Sequence, residues 1–151
     1  SVPLVWGAPG LFLKSASGSD PAVADAACAS PDVLLALDAQ PVGLVLSVAD
    51  VAPDILRYTG QRALHGHYHR NAAGIEMALR IFIAPPDKAA DLMRADGVDY
   101  VLACPSHGEM QMLANAHPEG LAARLSAGDK MDFLTRVAGN EGSEALYAVS
   151  R

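Results

Sequence analysis

Aromatic residues make up only 5% of this 151-residue chain. Its core must therefore come from the Ala, Leu and Val that dominate a 51% hydrophobic content. Cysteine is scarce as well. Cys28 and Cys104 fit no metal spacing such as C-x-x-C. In an oxidising compartment they could pair across a long loop, and otherwise they are small buried thiols; their number does not choose between the two. Basic residues are outnumbered, 11 against 17 acidic, for a net charge of −6. With no basic run of five or more residues, this excludes a nucleic-acid surface. No apolar stretch approaches the roughly 18–20 residues that span a bilayer, and no charged segment leads into a short apolar one as in a signal peptide. The chain opens in mid-pattern at Ser1, with Val2-Pro3-Leu4-Val5-Trp6, and reads as a fragment of a longer protein. The missing membrane segments then say little about the parent.

What is present is the makings of one domain, since this length buries a sizeable core. Residues 1–31 are rich in Pro, Gly, Ser and Ala and read as a loosely structured N-terminal arm; residues 32–151 read as a single α/β domain. Asp32 is placed to cap a short helix through Leu37. Gly43-Leu44-Val45-Leu46-Ser47-Val48 reads as a first core strand, residues 50–58 as a short helix, and residues 62–66 as a second strand. Ile75, Ala78, Leu79 and Phe82 recur at helical spacing over 72–83, and Pro85-Pro86 stops that helix. A helix over 87–96 closes at Gly97. Residues 98–104 form the strongest strand. Helices are expected at 110–116, 120–125 and 131–137, and a final strand at 145–149. This alternation predicts an α/β fold, a three-layer, mostly parallel, Rossmann-like sheet flanked by helices.

Three constellations could carry chemistry. The first is His65-Gly66-His67-Tyr68-His69-Arg70-Asn71, where a strand gives way to a helix. If the strand runs on to residue 69, a period of two aligns His65, His67 and His69 as a transition-metal shell, with Asp50 or Asp54 as the nearby carboxylates. If it ends near Gly66, the rings diverge. The second is the latter half of the same segment. His69, Arg70 and Asn71 precede a helix whose N–H groups favour an anion, with Arg70 as a bidentate fork and Asn71 as a cap or hydroxyl partner. The plainer alternative is a cap and a surface ion pair. The third is Cys104-Pro105-Ser106-His107, which a parallel sheet would bring to the same crevice as His69 and the turn over residues 47–50. A Cys104 thiolate with His69 or His107 as base is chemically feasible, but no nucleophile-elbow pattern surrounds it, and a buried or disulfide-bonded Cys104 is the simpler reading.

The stretch from Leu37 to Cys104 resembles the soluble C-terminal region of certain polytopic bacterial inner-membrane proteins of glycosyltransferase-like (GT-C) architecture. The matching residues are Leu37-Asp38-Ala39-Gln40-Pro41, Asp50, Pro53-x-Ile55-Leu56-x-x-Thr59, Tyr68-His69-Arg70-Asn71, Gly74-Ile75 and Val98-Asp99-Tyr100-Val101-Leu102-Ala103-Cys104. Cys28 ahead of the first helix fits the same layout. His65 and His67 fall outside the pattern, which weakens the metal reading.

The resemblance implies an accessory, non-catalytic domain at the periplasmic face of the bacterial inner membrane. Its partner would be the membrane-embedded part of the same polypeptide, and its ligand a lipid-linked sugar or a phosphate. Tyr68, His69, Arg70, Asn71, Asp50, Ser106 and His107 are the candidate ligand-binding residues. No catalytic residue, metal or cofactor is assigned. The rival expectation is a small stand-alone hydrolase or metal-dependent enzyme centred on His65, His67 and His69.

Overall fold

The structure is a computed structural model that describes residues 28–64, 72–140 and 142–150. Among these, five strands form one sheet: β1 (Leu44–Leu46), β2 (Arg62–Ala63), β3 (Val98–Ala103), β4 (Leu134–Gly139) and β5 (Ala145–Val149). Six helices accompany them: α1 (Pro31–Asp38), α2 (Ala52–Tyr58), α3 (Ala72–Ile83), α4 (Pro86–Asp96), α5 (Gly108–Ala116) and α6 (Leu121–Ser126). A single 3-10 turn, Ala49–Val51, leads into α2.

The sheet order is β2-β1-β3-β5-β4. Strands β2, β1 and β3 run parallel. Strand β5 pairs antiparallel with both β3 and β4. The sheet is thus mixed, with two parallel and two antiparallel pairings, where the element alternation predicts a mostly parallel one. The cause lies in the last third of the chain. Residues 131–137, expected to be helical, instead contribute to β4. A short turn closed by the Asn140 N–H donating to the Glu144 carbonyl at 2.9 Å then leaves β5 no direction but antiparallel. Gly139 makes this turn possible: its φ is +80°, and a Cβ there would run into the Glu144 carbonyl oxygen.

The central strand β3 is buried along nearly its whole length, with Val98, Val101 and Leu102 at 0% exposure. This is the near-continuous apolar run expected of a strand covered on both faces. Its register against β1 slips at Asp99, since Leu44 pairs with Val98 but Val45 with Tyr100. The Asp99 carboxylate fills the gap by accepting the Leu44 N–H at 2.9 Å. The close approach requires Gly43, whose Cβ would lie 2.5 Å from that same carboxylate oxygen.

Helix α1 packs against β4, β5 and α2, while α3, α4, α5 and α6 pack among themselves and reach β3 through α4 and α6. Proline at the first position starts α4, and Gly97, with φ +76°, ends it. Helix α3 has the bounds its periodicity predicts and buries Ala78, Ile81 and Phe82. At α1 the capping expectation fails: Ser30 occupies the N-cap and Asp32 lies in the first turn. Pro31 already fits the first helical position, so the helix begins one residue earlier. Cys28 and Ala29 belong to the core.

A buried Gln61 joins α1, the lead into β1 and the start of β2. Its side-chain oxygen accepts the Gly43 N–H at 2.7 Å. Its amide nitrogen donates toward the carbonyls of Leu37, Gln40 and Pro41 at 2.9, 3.1 and 3.2 Å. Tyr100 adds a hydroxyl donated to the Pro41 carbonyl at 2.6 Å.

Candidate functional site

In an open sheet with parallel strands, ligands collect outside the carboxyl ends of strands at the point where strand order reverses. Here that point lies between β1 and β3, because the chain adds β2 on one side of β1 and β3 on the other. The segments leaving β1 and β3 carry Ser47 and Asp50, and Cys104, Ser106 and His107, respectively. Tyr68, His69, Arg70 and Asn71, like His65 and His67, lie outside the described residues.

His107 and Asp50, 57 positions apart, meet through a 3.0 Å contact between His107 Nε2 and Asp50 Oδ2. The imidazole is almost wholly covered, with its side chain 6% exposed, while the Asp50 side chain is 48% exposed. His107 also caps α5, its Nδ1 accepting the Glu109 N–H at 3.1 Å. A backbone N–H can only donate, so Nδ1 carries the lone pair and Nε2 the proton, which it gives to Asp50. Both ring nitrogens are engaged. In this geometry His107 holds the start of α5 against the turn after β1, and is not poised to take a proton from a substrate or from Cys104.

Glu109 strengthens the same junction: its carboxylate accepts the Ala49 N–H at 3.3 Å. Ser47 is fully buried and its hydroxyl donates to the Val48 carbonyl at 3.0 Å. Ser106 is exposed beside His107, with its hydroxyl 3.8 Å from Cys28 Sγ. Cys104 is fully buried and its thiol donates to the Cys28 carbonyl at 3.2 Å. The Cys28 thiol pKa is lowered to about 7, first by hydrogen bonding with the Cys104 side chain, then by the Ser106 hydroxyl and the neighbouring His107 ring; burial and Glu144 oppose this.

Of the seven candidate residues named from sequence, the structure therefore brings Asp50 and His107 into contact and sets Ser106 next to them. It adds Glu109, which sequence reasoning did not select, and places the Cys28 thiol near Ser106. The signal for Glu109 was local: an acidic residue in the first turn of a helix, two positions after a histidine able to cap it. The described rim is acidic, with Asp50 and Glu109 facing the junction of β1 and β3. Carboxylates and an exposed hydroxyl suit a ligand rich in hydroxyl donors.

No helix among the described residues is long and apolar enough to cross a membrane. No protein-family model matches the chain, and no curated protein matches it in sequence. Among solved structures, it is similar to the C-terminal globular domain of an oligosaccharyltransferase from Archaeoglobus fulgidus, with a TM-score of 0.58 and 15% identity over 79% of this chain and 95% of that one. At that identity the similarity is one of fold: this α/β sheet with its helices is shared with almost the whole of a globular domain from a glycan-transferring enzyme.

Proposed function

We propose that this chain is an accessory, non-catalytic domain of a membrane glycosyltransferase-like protein, held at the periplasmic face beside the membrane-embedded part of the same polypeptide. The domain is taken as a three-layer, Rossmann-like unit over residues 32–151, with residues 1–31 as its N-terminal arm. The crevice outside β1 and β3, lined by Asp50, Ser106 and His107 and completed by Tyr68, His69, Arg70 and Asn71, receives the sugar part of a lipid-linked sugar. The observation that carries this reading is the fold shared with 95% of an oligosaccharyltransferase C-terminal domain. The engagement of both His107 nitrogens favours the non-catalytic reading, since neither is left to move a proton. The carboxylate-rich rim favours sugar hydroxyls over phosphate alone.

The test is a titration of isotope-labelled chain, followed by backbone amide resonances, with glucose, glucose 1-phosphate and inorganic phosphate in parallel. Shifts at Asp50, Ser106 and His107 with both sugars are expected. Shifts with phosphate alone would move the ligand to an anion held by Arg70, and no response to any of the three at millimolar concentration would remove the ligand altogether. Membrane attachment predicts apolar helices encoded just upstream of residue 1, and a coding sequence without them would overturn that part.

A further inference from the structure

The two cysteines are the chemistry-bearing residues that the ligand crevice does not use. They are 76 positions apart, yet Cys104 Sγ lies 3.2 Å from the carbonyl oxygen of Cys28 itself. Both side chains are buried, at 1% and 0% exposure. Each is held by a different part of the fold. Cys104 follows directly on the central strand β3. Cys28 precedes α1, and two residues later the Ser30 N–H is tied to the Glu144 carboxylate at 3.0 Å. Folding thus brings two cysteines from separate elements together, and neither belongs to a metal-binding group among the described residues.

We propose that Cys28 and Cys104 form a reversible disulfide that staples the entry of α1 to the end of β3, next to Ser106 and His107. The inference does not rest on the proposed ligand. Cys28 is the attacking thiol. It has the exposed Ser106 hydroxyl at 3.8 Å, and its raised acidity supplies thiolate near neutral pH. The oxidant is a low-molecular-weight or protein disulfide, such as oxidised glutathione. Cys28 thiolate attacks one of its sulfurs, forms a mixed disulfide and expels the first thiolate. Cys104 then loses its proton, attacks Cys28 Sγ and expels the second thiol. The protein loses two electrons and two protons, and the oxidant becomes two thiols. Closing the bond fixes α1 relative to the carboxyl end of the central strand β3, beside the Asp50–His107 contact, so the redox state of the compartment sets the rigidity of that corner.

The experiment equilibrates the folded full chain in glutathione buffers from fully reduced to fully oxidised. Acid quenching, alkylation and peptide mass analysis follow, with urea unfolding of each end state. The expected result is a peptide pair joined through Cys28 and Cys104, two hydrogens lighter than the separate peptides. It appears in the native chain without a lasting glutathione adduct, and raises the urea midpoint. Cys28→Ser and Cys104→Ser each abolish the joined pair. Two alkylatable thiols at the oxidising limit, a glutathione adduct that persists on Cys28, a link that forms only after unfolding, or an unchanged urea midpoint would each overturn the proposal.

Discussion

Replacing Gln61 tests the account of how α1, β1 and β2 are joined. Gln61 is 4% exposed. Its side chain satisfies the Gly43 N–H and is shared among three carbonyls, of Leu37, Gln40 and Pro41. Truncation in Gln61→Ala orphans one buried donor outright, at about 1–3 kcal/mol, and weakens the environment of several acceptors. With the lost side-chain packing the total is about 3–5 kcal/mol, a fall of roughly 6–20 °C in Tm at the usual scaling for a domain of this size. Gln61→Glu separates hydrogen bonding from shape. It keeps the acceptor for Gly43 but points a second oxygen at three carbonyls, which favours the protonated acid and raises its folded-state pKa above the unfolded value. Such a group stabilises below the unfolded pKa and loses that contribution as pH rises through the folded one. The Glu variant should approach wild type near pH 4 and fall to the Ala variant or below at pH 7. Urea unfolding followed by circular dichroism across that range reads both effects. An Ala variant within about 1 kcal/mol of wild type, or a Glu variant with no pH trend relative to it, would refute the reasoning.

Other perturbations follow from the same geometry. His107→Ala removes both the α5 cap and the Asp50 contact and should destabilise by about 2–3 kcal/mol, whereas His107→Asn restores a capping oxygen and should recover roughly half; equal losses in urea unfolding would show that the cap is inert. Cys28 titrates near 7 in the folded chain against an ordinary thiol value of 9.0. The unfolded state therefore binds more protons between those limits, and stability of the reduced chain rises with pH from 7 to 9, by at most about 2–3 kcal/mol. Denaturation midpoints at pH 6, 7.5 and 9 should show that rise in wild type and lose it in Cys28→Ser. Gly139→Ala, with φ +80° and the Glu144 carbonyl in its path, should lose at least about 2 kcal/mol. Gly97→Ala, at φ +76° with nothing within 4 Å, should lose only about 1 kcal/mol; equal losses by thermal melting would mean that the close approach at Gly139 is unimportant.

Helix α3 and strand β5 have the bounds read from sequence because their signals are self-contained. In α3 the apolar spacing repeats for three turns and two prolines end it. In β5 a short buried run of Leu, Tyr and Val follows a glycine-containing turn. Residues 134–139 misled because Leu134 and Val137 stand three apart, a helical spacing that a strand allows on one face only where its register is interrupted, as it is between Arg136 and Ala138, and the segment is only half-buried. Nothing local decides such a segment; its pairing with β5 does. The glutamine that unites three elements was equally invisible, since a buried Gln in a loop has no periodic signature. Asp50, Ser106 and His107 were legible as polar residues just past apolar strands and were expected at one crevice, but the direct contact of Asp50 with His107 was not.

Sequence alone determined the alternation of strands and helices through α6, the stops at Pro85-Pro86 and Gly97, and the polar residues that follow the core strands. These rest on spacing, backbone freedom and capping within a dozen residues. Only the tertiary structure decided the rest: that the sheet is mixed, that strand order reverses at β1, and that Asp50 therefore meets His107 and Cys28 meets Cys104. Those contacts span 57 and 76 positions. Contacts at such separations depend on which strand lies beside which, and strand order is set by packing across the whole sheet.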